Sequence, residues 1–212
     1  METQYPIVRP LDLAAITLDK GAHPAGTPGP GGGACLMEAA AFMAGEPWTD
    51  HPKCVSSVLG EFGRSLNDVL PHARRQELRP HIPALLGTAG VGLDETRSYL
   101  ALDWLIRTYT PAWLDLAGLT AEASALRDLR RIVDLVAATE AGPVVREARA
   151  KAAAAWVAAG DAAWAAAGDA AGDAAGAAAW AAAGAKLAPK VDTLQQSAIA
   201  LFATMIRPAV TT

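Results

Sequence analysis

The stretch WVAAGDAAWAAAGDAAGDAAGAAAWAAAGA, residues 156–185, decides the fold class of this chain of 212 residues. Its unit is four residues, doubled to eight in the first half, and alanine fills most positions. Alanine has the highest helix propensity, so the repeat predicts a helix although each of its five glycines costs about 1 kcal/mol relative to alanine. We therefore expect a long Ala/Gly/Trp-rich helix over residues 144–187.

The period of this repeat predicts a surface for close helix contacts. Because an α-helix has 3.6 residues per turn, a four-residue unit drifts by about 40° per repeat, and its bulky and small residues spiral around the helix. A helix that is small on every side can be approached closely by its neighbours. A continuous helix over residues 144–187 would span about 65 Å, so we also expect a break or a protruding end. The residues predicted to mediate contacts are Trp156, Trp164, Gly168, Gly172 and Trp180.

The segment around the two cysteines predicts a helix over residues 34–44. Gly45 and Pro47 follow it, and a glycine with a later proline is a typical helix end. Before it, residues 1–33 are rich in proline and glycine and predict an irregular segment.

The next apolar run predicts a helix that ends before Pro71. Asp50 or His51 is the expected cap, Pro52 fits the first turn, and Cys54 follows within that turn. Apolar residues at helical spacing continue from there to the end of the run.

Several later helices have recognisable ends. A helix capped by Asp94 is expected to be kinked or split at Pro111, and one that starts at Thr120 is expected to end at Gly142-Pro143. Pro189 is expected to separate a final helix. The side chains predicted to face inward from the Thr120 helix are Leu126, Leu129, Val133 and Val136.

These segments predict an all-α fold, a bundle of about six or seven helices. The expected organisation is an irregular segment over residues 1–33, a helical core over 34–141 that carries the cysteines, and the long Ala-rich helix with a C-terminal helix over 142–212. The last two parts are expected to share one domain, since the length suits one domain.

Composition narrows the classes of partner. The net charge is -4 and the pI about 5.5, which argues against nucleic-acid and membrane-surface binding, since both need clustered Lys and Arg. The sequence shows neither a signal peptide nor a membrane-spanning run, and two cysteines do not make a disulfide framework. We expect a cytoplasmic protein.

The residues of greatest chemical interest lie between residues 35 and 54. Cys35 follows a glycine-rich run at a predicted helix start, where free N–H groups and the helix dipole favour a thiolate. One hypothesis makes Cys35 a nucleophile, His51 its acid/base, and Asp50 or Glu38 the group that orients the imidazole, acting on an unidentified small molecule.

Two other hypotheses explain the same residues. In one, Cys35, His51 and Cys54 bind zinc, since thiolates and imidazole are typical zinc ligands. The spacing is not a standard zinc motif, and the fourth ligand is open. In the other, no cofactor is bound, both cysteines are small core residues, and Asp50 is a helix cap.

Two short motifs of this segment resemble those of a known group of proteins. GGACLMEAA, residues 32–40, and GEPWTDHPKCV, residues 45–55, resemble an uncharacterised family of small Ala/Trp-rich actinobacterial and phage proteins. The resemblance covers residues 31–70 and, more loosely, the Ala/Trp tail. It implies a bacterial, cytoplasmic origin and no particular activity.

The sequence leaves two main functions open. In the first, the protein is non-catalytic and self-associates or binds a partner through the Ala/Trp/Gly helix, so bulky residues at Gly168 and Gly172 should abolish a defined homo-oligomer. In the second, it is a small cysteine-dependent enzyme, and Cys35→Ala should abolish activity in a folded protein.

Overall fold

The computed structural model describes residues 5–24, 26, 33–169 and 173–209, without the side chains of 159–186. The predicted all-α class is confirmed: this part of the chain contains seven α-helices of seven or more residues and no β-sheet. The α-helices are α1 (Leu36–Ala44), α2 (Ser57–Val69), α3 (His72–Arg75), α4 (Ile82–Leu85), α5 (Asp94–Trp104), α6 (Thr110–Leu116), α7 (Thr120–Arg127), α8 (Leu135–Asp169) and α9 (Asp173–Ile206). A 3-10 helix (Gln76–His81) precedes α4, and a π-helix (Leu105–Tyr109) joins α5 to α6.

The chain divides into two compact units. The first comprises residues 1–98 and 197–212, and the second comprises residues 99–196. The boundaries predicted at residues 34 and 142 do not coincide with this division.

Helix α1 ends where the sequence predicts, and both of its ends are capped. Cys35 is the N-cap, and its Sγ accepts the Glu38 N–H while the Glu38 carboxylate accepts the Cys35 N–H. Gly45, at φ 75°, adopts the left-handed conformation that suits glycine, and its N–H donates to Phe42 O at 3.0 Å.

The irregular N-terminal segment is held by side chains of later elements. Gln76 donates to the Leu18 carbonyl and accepts the Leu18 N–H, both at 2.9 Å. Arg79 Nη1 donates to the carbonyls of Ala14 and Ile16. Because the segment has no regular ladder of its own, these long side chains satisfy its backbone groups.

A polar network fixes the start of α2 against the start of α5. Ser56 caps α2 and donates to Asp94 Oδ1 at 2.5 Å, and Arg97 Nη1 donates to the same oxygen at 2.9 Å. The hydrogen bond from Ser56, followed by that from Arg97, lowers the pKa of Asp94. Arg97 is only 1% exposed and also donates to Thr88 O and Met205 O.

The core of the first unit closes around the end of α9. Phe202 is fully buried and stacks on Phe62, with ring centroids 6.1 Å apart, while the His81 ring meets it edge-on. Met205 and Ile206 are also buried.

The helix that starts at Asp94 changes form before Pro111, where the sequence predicted a kink or a split. The π-helix occupies residues 105–109, and Thr110 Oγ1 donates to Leu105 O at 2.8 Å. The Leu105 carbonyl thus accepts both the hydroxyl and the backbone N–H of Thr110, directly before a proline that has no N–H of its own.

The prediction of one helix from Thr120 to Gly142-Pro143 is wrong. Helix α7 ends at Arg127, and α8 starts at Leu135 and continues through Pro143. Asp134 starts α8, since its Oδ1 accepts the Ala137 N–H at 2.7 Å. The break changes the helical register, so Ile132 is buried while Val133 and Val136 are 52% and 61% exposed instead of facing inward.

Helix α9 also continues through a proline. Pro189 was expected to separate a final helix, but α9 extends from Asp173 to Ile206. A proline inside a helix lacks only its own donor and adds one steric clash, and a long helix with buried residues beyond it can tolerate that cost.

No helix in the described ranges has a stretch long and apolar enough to cross a membrane.

Candidate functional site

The cysteine at the N-terminus of α1 is buried and serves as a cap. Cys35 is 3% exposed, and its Sγ lies 3.5 Å from the Glu38 amide nitrogen, which donates to it. The sequence places a thiol at a helix start as predicted. At this position the thiol contacts the backbone of its own helix.

Glu38 is a fixed hydrogen-bond acceptor. Its carboxylate is 1% exposed and accepts the N–H of Cys35 at 2.7 Å, the backbone N–H of His23 at 2.6 Å and His23 Nδ1 at 2.8 Å. The carboxylate that was predicted to orient His51 therefore contacts His23. Trp48 Nε1 donates to the His23 carbonyl at 3.0 Å and closes this corner.

His51 and Asp50 lie together at the surface. His51 Nε2 is 3.6 Å from Asp50 Oδ1, and the imidazole is 67% exposed. The expected capping of α2 by Asp50 or His51 is wrong, because Ser56 caps that helix, and Thr49 Oγ1 instead accepts the His51 N–H at 3.0 Å. An exposed imidazole next to a carboxylate is a solvated pair of little energetic weight.

Cys54 lies in the segment before α2, not in the first turn of that helix as predicted. It is 5% exposed, and its N–H donates to Glu46 Oε1 at 2.7 Å, while the Lys53 N–H donates to Oε2 at 2.7 Å. Glu46 thus orders this turn in the way that Glu38 orders the start of α1.

Both thiols are held in the neutral form. Burial, helped by the nearby carboxylates Glu38 and Glu46, raises the pKa of Cys35 and of Cys54 to about 12. This is opposite to the expected lowering by the helix N-terminus. The backbone N–H bonds do lower the pKa of Cys35, but the loss of solvation and a carboxylate within the same turn outweigh them.

The described residues contain no group of three or more His, Cys, Asp or Glu side chains that could hold a metal ion. Cys35, His51 and Cys54, the predicted zinc ligands, all belong to these residues and form no such group.

Of the predicted interaction residues, Trp156 is described in full. It lies on α8 and is 82% exposed, and the adjacent Val157 is 61% exposed. Trp164, Gly168 and Trp180 lie among the residues without described side chains, and Gly172 lies outside the described residues.

An earlier stretch of α8 packs into the second unit. Ala148 is 4% exposed and forms a core cluster with Leu114, Ala123 and Leu126. Ala152, one turn later, is only half-buried against this cluster, and Trp156, a further turn later, is exposed. The helix thus leaves the core of its unit over about two turns.

Comparisons of the chain with models of protein families, with curated proteins and with solved structures find no match.

The sequence analysis missed two hydrogen-bonding residues around Cys35 and Cys54, the region that we call the cysteine corner. Neither His23 nor Glu46 is among the site residues that the sequence predicts. The only available signal was the capping-box pattern Cys35-x-x-Glu38, which indicates a bond to the N-cap N–H but not a second partner 15 residues earlier.

Proposed function

We propose that this protein is a non-catalytic helical protein that self-associates through the exposed face of α8. The observation that carries the proposal is the 82% exposure of Trp156. Tryptophan has one of the largest apolar surfaces of any side chain and is enriched among the residues that dominate protein interfaces. Covering such a ring by a partner is favourable by roughly 25 cal/mol per Å² of apolar surface.

The neighbours of Trp156 support an interface. Val157 is 61% exposed beside it, and exposed alanines at 153, 154 and 158 leave room for a partner to approach closely. Arg149 is exposed two turns earlier, and arginine is, with tryptophan, the residue type most enriched at interface centres.

A second copy of the chain is the partner that the sequence favours. The same repeat contains both the large residues, tryptophan at 156, 164 and 180, and the small ones, glycine and alanine. A bulky ring needs a recess, and a helix built of glycine and alanine offers recesses along its length. Two copies therefore supply both complementary features.

The cysteine corner supports a structural role for residues 35–54. Cys35 and Glu38 are buried, and both are engaged in capping α1. A nucleophile must reach its substrate as a thiolate, and a buried thiol with a pKa of about 12 has little thiolate near neutral pH. The geometry therefore gives the enzyme hypothesis less support than the structural role. The hypothesis of a zinc-clamped protein is supported by the sequence alone.

Sedimentation velocity of the full chain over a concentration series tests the proposal. We expect the wild-type protein to form a defined oligomer and Trp156→Ala to shift it to the monomer, because the substitution removes the exposed ring. The matched control is Leu135→Ala, which removes a 70% exposed apolar side chain from the same helix and should leave the oligomer intact.

A wild-type protein that stays monomeric at its highest soluble concentration would contradict the proposal. So would an oligomer that Trp156→Ala leaves unchanged.

A further inference from the structure

Helices α7 and α8 enclose a small cleft in the second unit. Its volume is about 140 Å³. The floor and walls are mostly alanine and valine, and two glutamates complete the lining, which consists of Ala121, Glu122 and Ala125 of α7 with Val144, Glu147 and Ala148 of α8.

No counterion in the described part of the chain pairs with the two carboxylates of this cleft. Glu122 and Glu147 form no ion pair or hydrogen bond with any other described side chain. Lys151, one turn after Glu147 on α8, forms no ion pair with it either within the described part of the chain. An apolar cleft lined by two unpaired carboxylates is complementary to a long cationic side chain, whose methylene stem packs on alanine while its head group meets the carboxylates.

A matching cation lies on a different face of the same helix. Arg149 is exposed and makes no ion pair with another described residue. At about 100° per residue, Arg149 and Trp156 lie within about 20° of each other around the helix axis. The cleft-lining pair Val144 and Ala148 is centred about 110° away from them.

We infer that the cleft between α7 and α8 receives Arg149 of a second copy of this chain, beside the interface proposed for Trp156. The guanidinium of Arg149 would lie between Glu122 and Glu147, an arrangement that suits the planar fork of arginine better than the point charge of lysine. This inference rests on the proposed self-association and specifies how the copies meet.

The position of the two surfaces determines the kind of assembly. A two-fold dimer needs the same patch on both copies, with cleft and arginine in one shared interface. Here the cation and the cleft occupy different faces of α8, so each copy would offer its arginine on one side and its cleft on another. Such a head-to-tail contact generates a ring or an open chain.

Charge reversal in the full chain tests this contact. The cleft variant is Glu122→Lys with Glu147→Lys, and the arginine variant is Arg149→Glu. We expect each alone to weaken self-association by about tenfold or more, because like charges then face each other. An equimolar mixture should restore assembly, since the reversed cleft accepts the reversed side chain. The matched control is Glu95→Lys, which reverses an exposed glutamate with no ion pair to another described residue.

Sedimentation velocity distinguishes the outcomes, with circular dichroism as the check that each variant is folded. Recovery in the mixture, with assemblies larger than a dimer for the wild type, supports the inference. If the charge variants assemble like the wild type while Trp156→Ala does not, the cleft contact is overturned and the proposed function stands. A wild type that stops at a dimer overturns the head-to-tail contact. If Trp156→Ala also assembles like the wild type, the proposed function itself fails.

Discussion

Glu38 is a tightly held, buried charged side chain. Its carboxylate is 1% exposed, and it accepts three N–H groups, two from His23 and one from Cys35. Burying a carboxylate is costly unless its oxygens are hydrogen-bonded, and here the helix N-terminus adds a favourable dipole. Glu38 therefore ties the irregular N-terminal segment to α1.

Replacement of Glu38 by glutamine should be strongly destabilising. Glu38→Gln keeps the shape of the side chain but replaces one acceptor oxygen with a donor, so buried N–H groups lose their partner. We expect a loss of about 2–3 kcal/mol in the free energy of unfolding, measured by urea denaturation. The control is Glu77→Gln, at an exposed position with no bond to another described residue, which should change stability by less than about 0.5 kcal/mol.

The buried thiols predict a loss of stability in alkaline solution. Burial raises the pKa of Cys35 and of Cys54 from 9.0 to about 12. Above about pH 9 the unfolded chain loses these protons while the folded chain keeps them, so the stabilisation is complete below pH 9 and declines between about pH 9 and 12. Each thiol should contribute a slope of up to about 1.4 kcal/mol per pH unit.

Urea denaturation across this alkaline range measures the slope. The comparison with Cys35→Ala isolates one thiol, since tyrosine and lysine titrate equally in both proteins. We expect a shallower decline for the variant. An identical slope in the two proteins would mean that Cys35 ionises in the folded state.

At the scale of the element, α2 shows how two glycines on one helix differ. A Cβ at Gly63 would lie 2.7 Å from Met37 Cε and 3.1 Å from Phe202 Cζ, both in fully buried side chains. A Cβ at Gly60 would meet only Arg64 Nη1, at 3.3 Å, the end of a flexible side chain. Helix propensity favours alanine equally at both positions, so packing decides between them.

Alanine should therefore lower the stability of the protein at Gly63 but not at Gly60. Gly63→Ala gains about 1 kcal/mol in helix propensity but overpacks the core, for a net loss of about 1–2 kcal/mol. Gly60→Ala should be neutral or stabilising by up to about 1 kcal/mol. Thermal unfolding of both variants provides the measurement, and equal stabilities would show that the core around Met37 and Phe202 can adjust.

The long helices show the limits of reading element ends from sequence. Pro143 and Pro189 were each interpreted as a helix boundary, and both lie inside helices. The actual break after α7 has no proline or glycine between residues 128 and 134, and α8 starts at the Asp134 cap. The glycine and proline at residues 142–143 and the proline at 189 therefore suggested helix ends at those positions. The actual helix ends depend instead on packing over many residues.

At the scale of the whole molecule, the chain leaves the first unit after Ser98 and returns at Ser197. Arg97 connects the two ends of this unit, because its guanidinium donates to Met205 O at 3.1 Å and to Thr88 O at 3.0 Å. With 1% exposure, its charge is compensated by Asp94 and by these carbonyls. The first unit thus depends on residues from both ends of the sequence.

Removal of this guanidinium should destabilise the protein substantially. Arg97→Met keeps an apolar stem but leaves buried carbonyls without donors, and we expect a loss of about 3 kcal/mol in urea denaturation. Arg107→Met is the comparison, since Arg107 is 28% exposed and also contacts a carboxylate and a carbonyl, and it should cost less than about 1.5 kcal/mol. Similar losses for both would show that burial of Arg97 adds nothing.

The sequence by itself determined the all-α class, the end of α1 and the distortion before Pro111, because helix propensity, caps and proline act within a few residues. Only the tertiary structure decided that Glu38 binds His23, that both thiols are buried and neutral, and that Trp156 is exposed. Those properties depend on which distant segments exclude water from a side chain. A histidine 15 residues before its carboxylate, or an arginine 108 residues before its carbonyl, leaves no periodic signal in the chain.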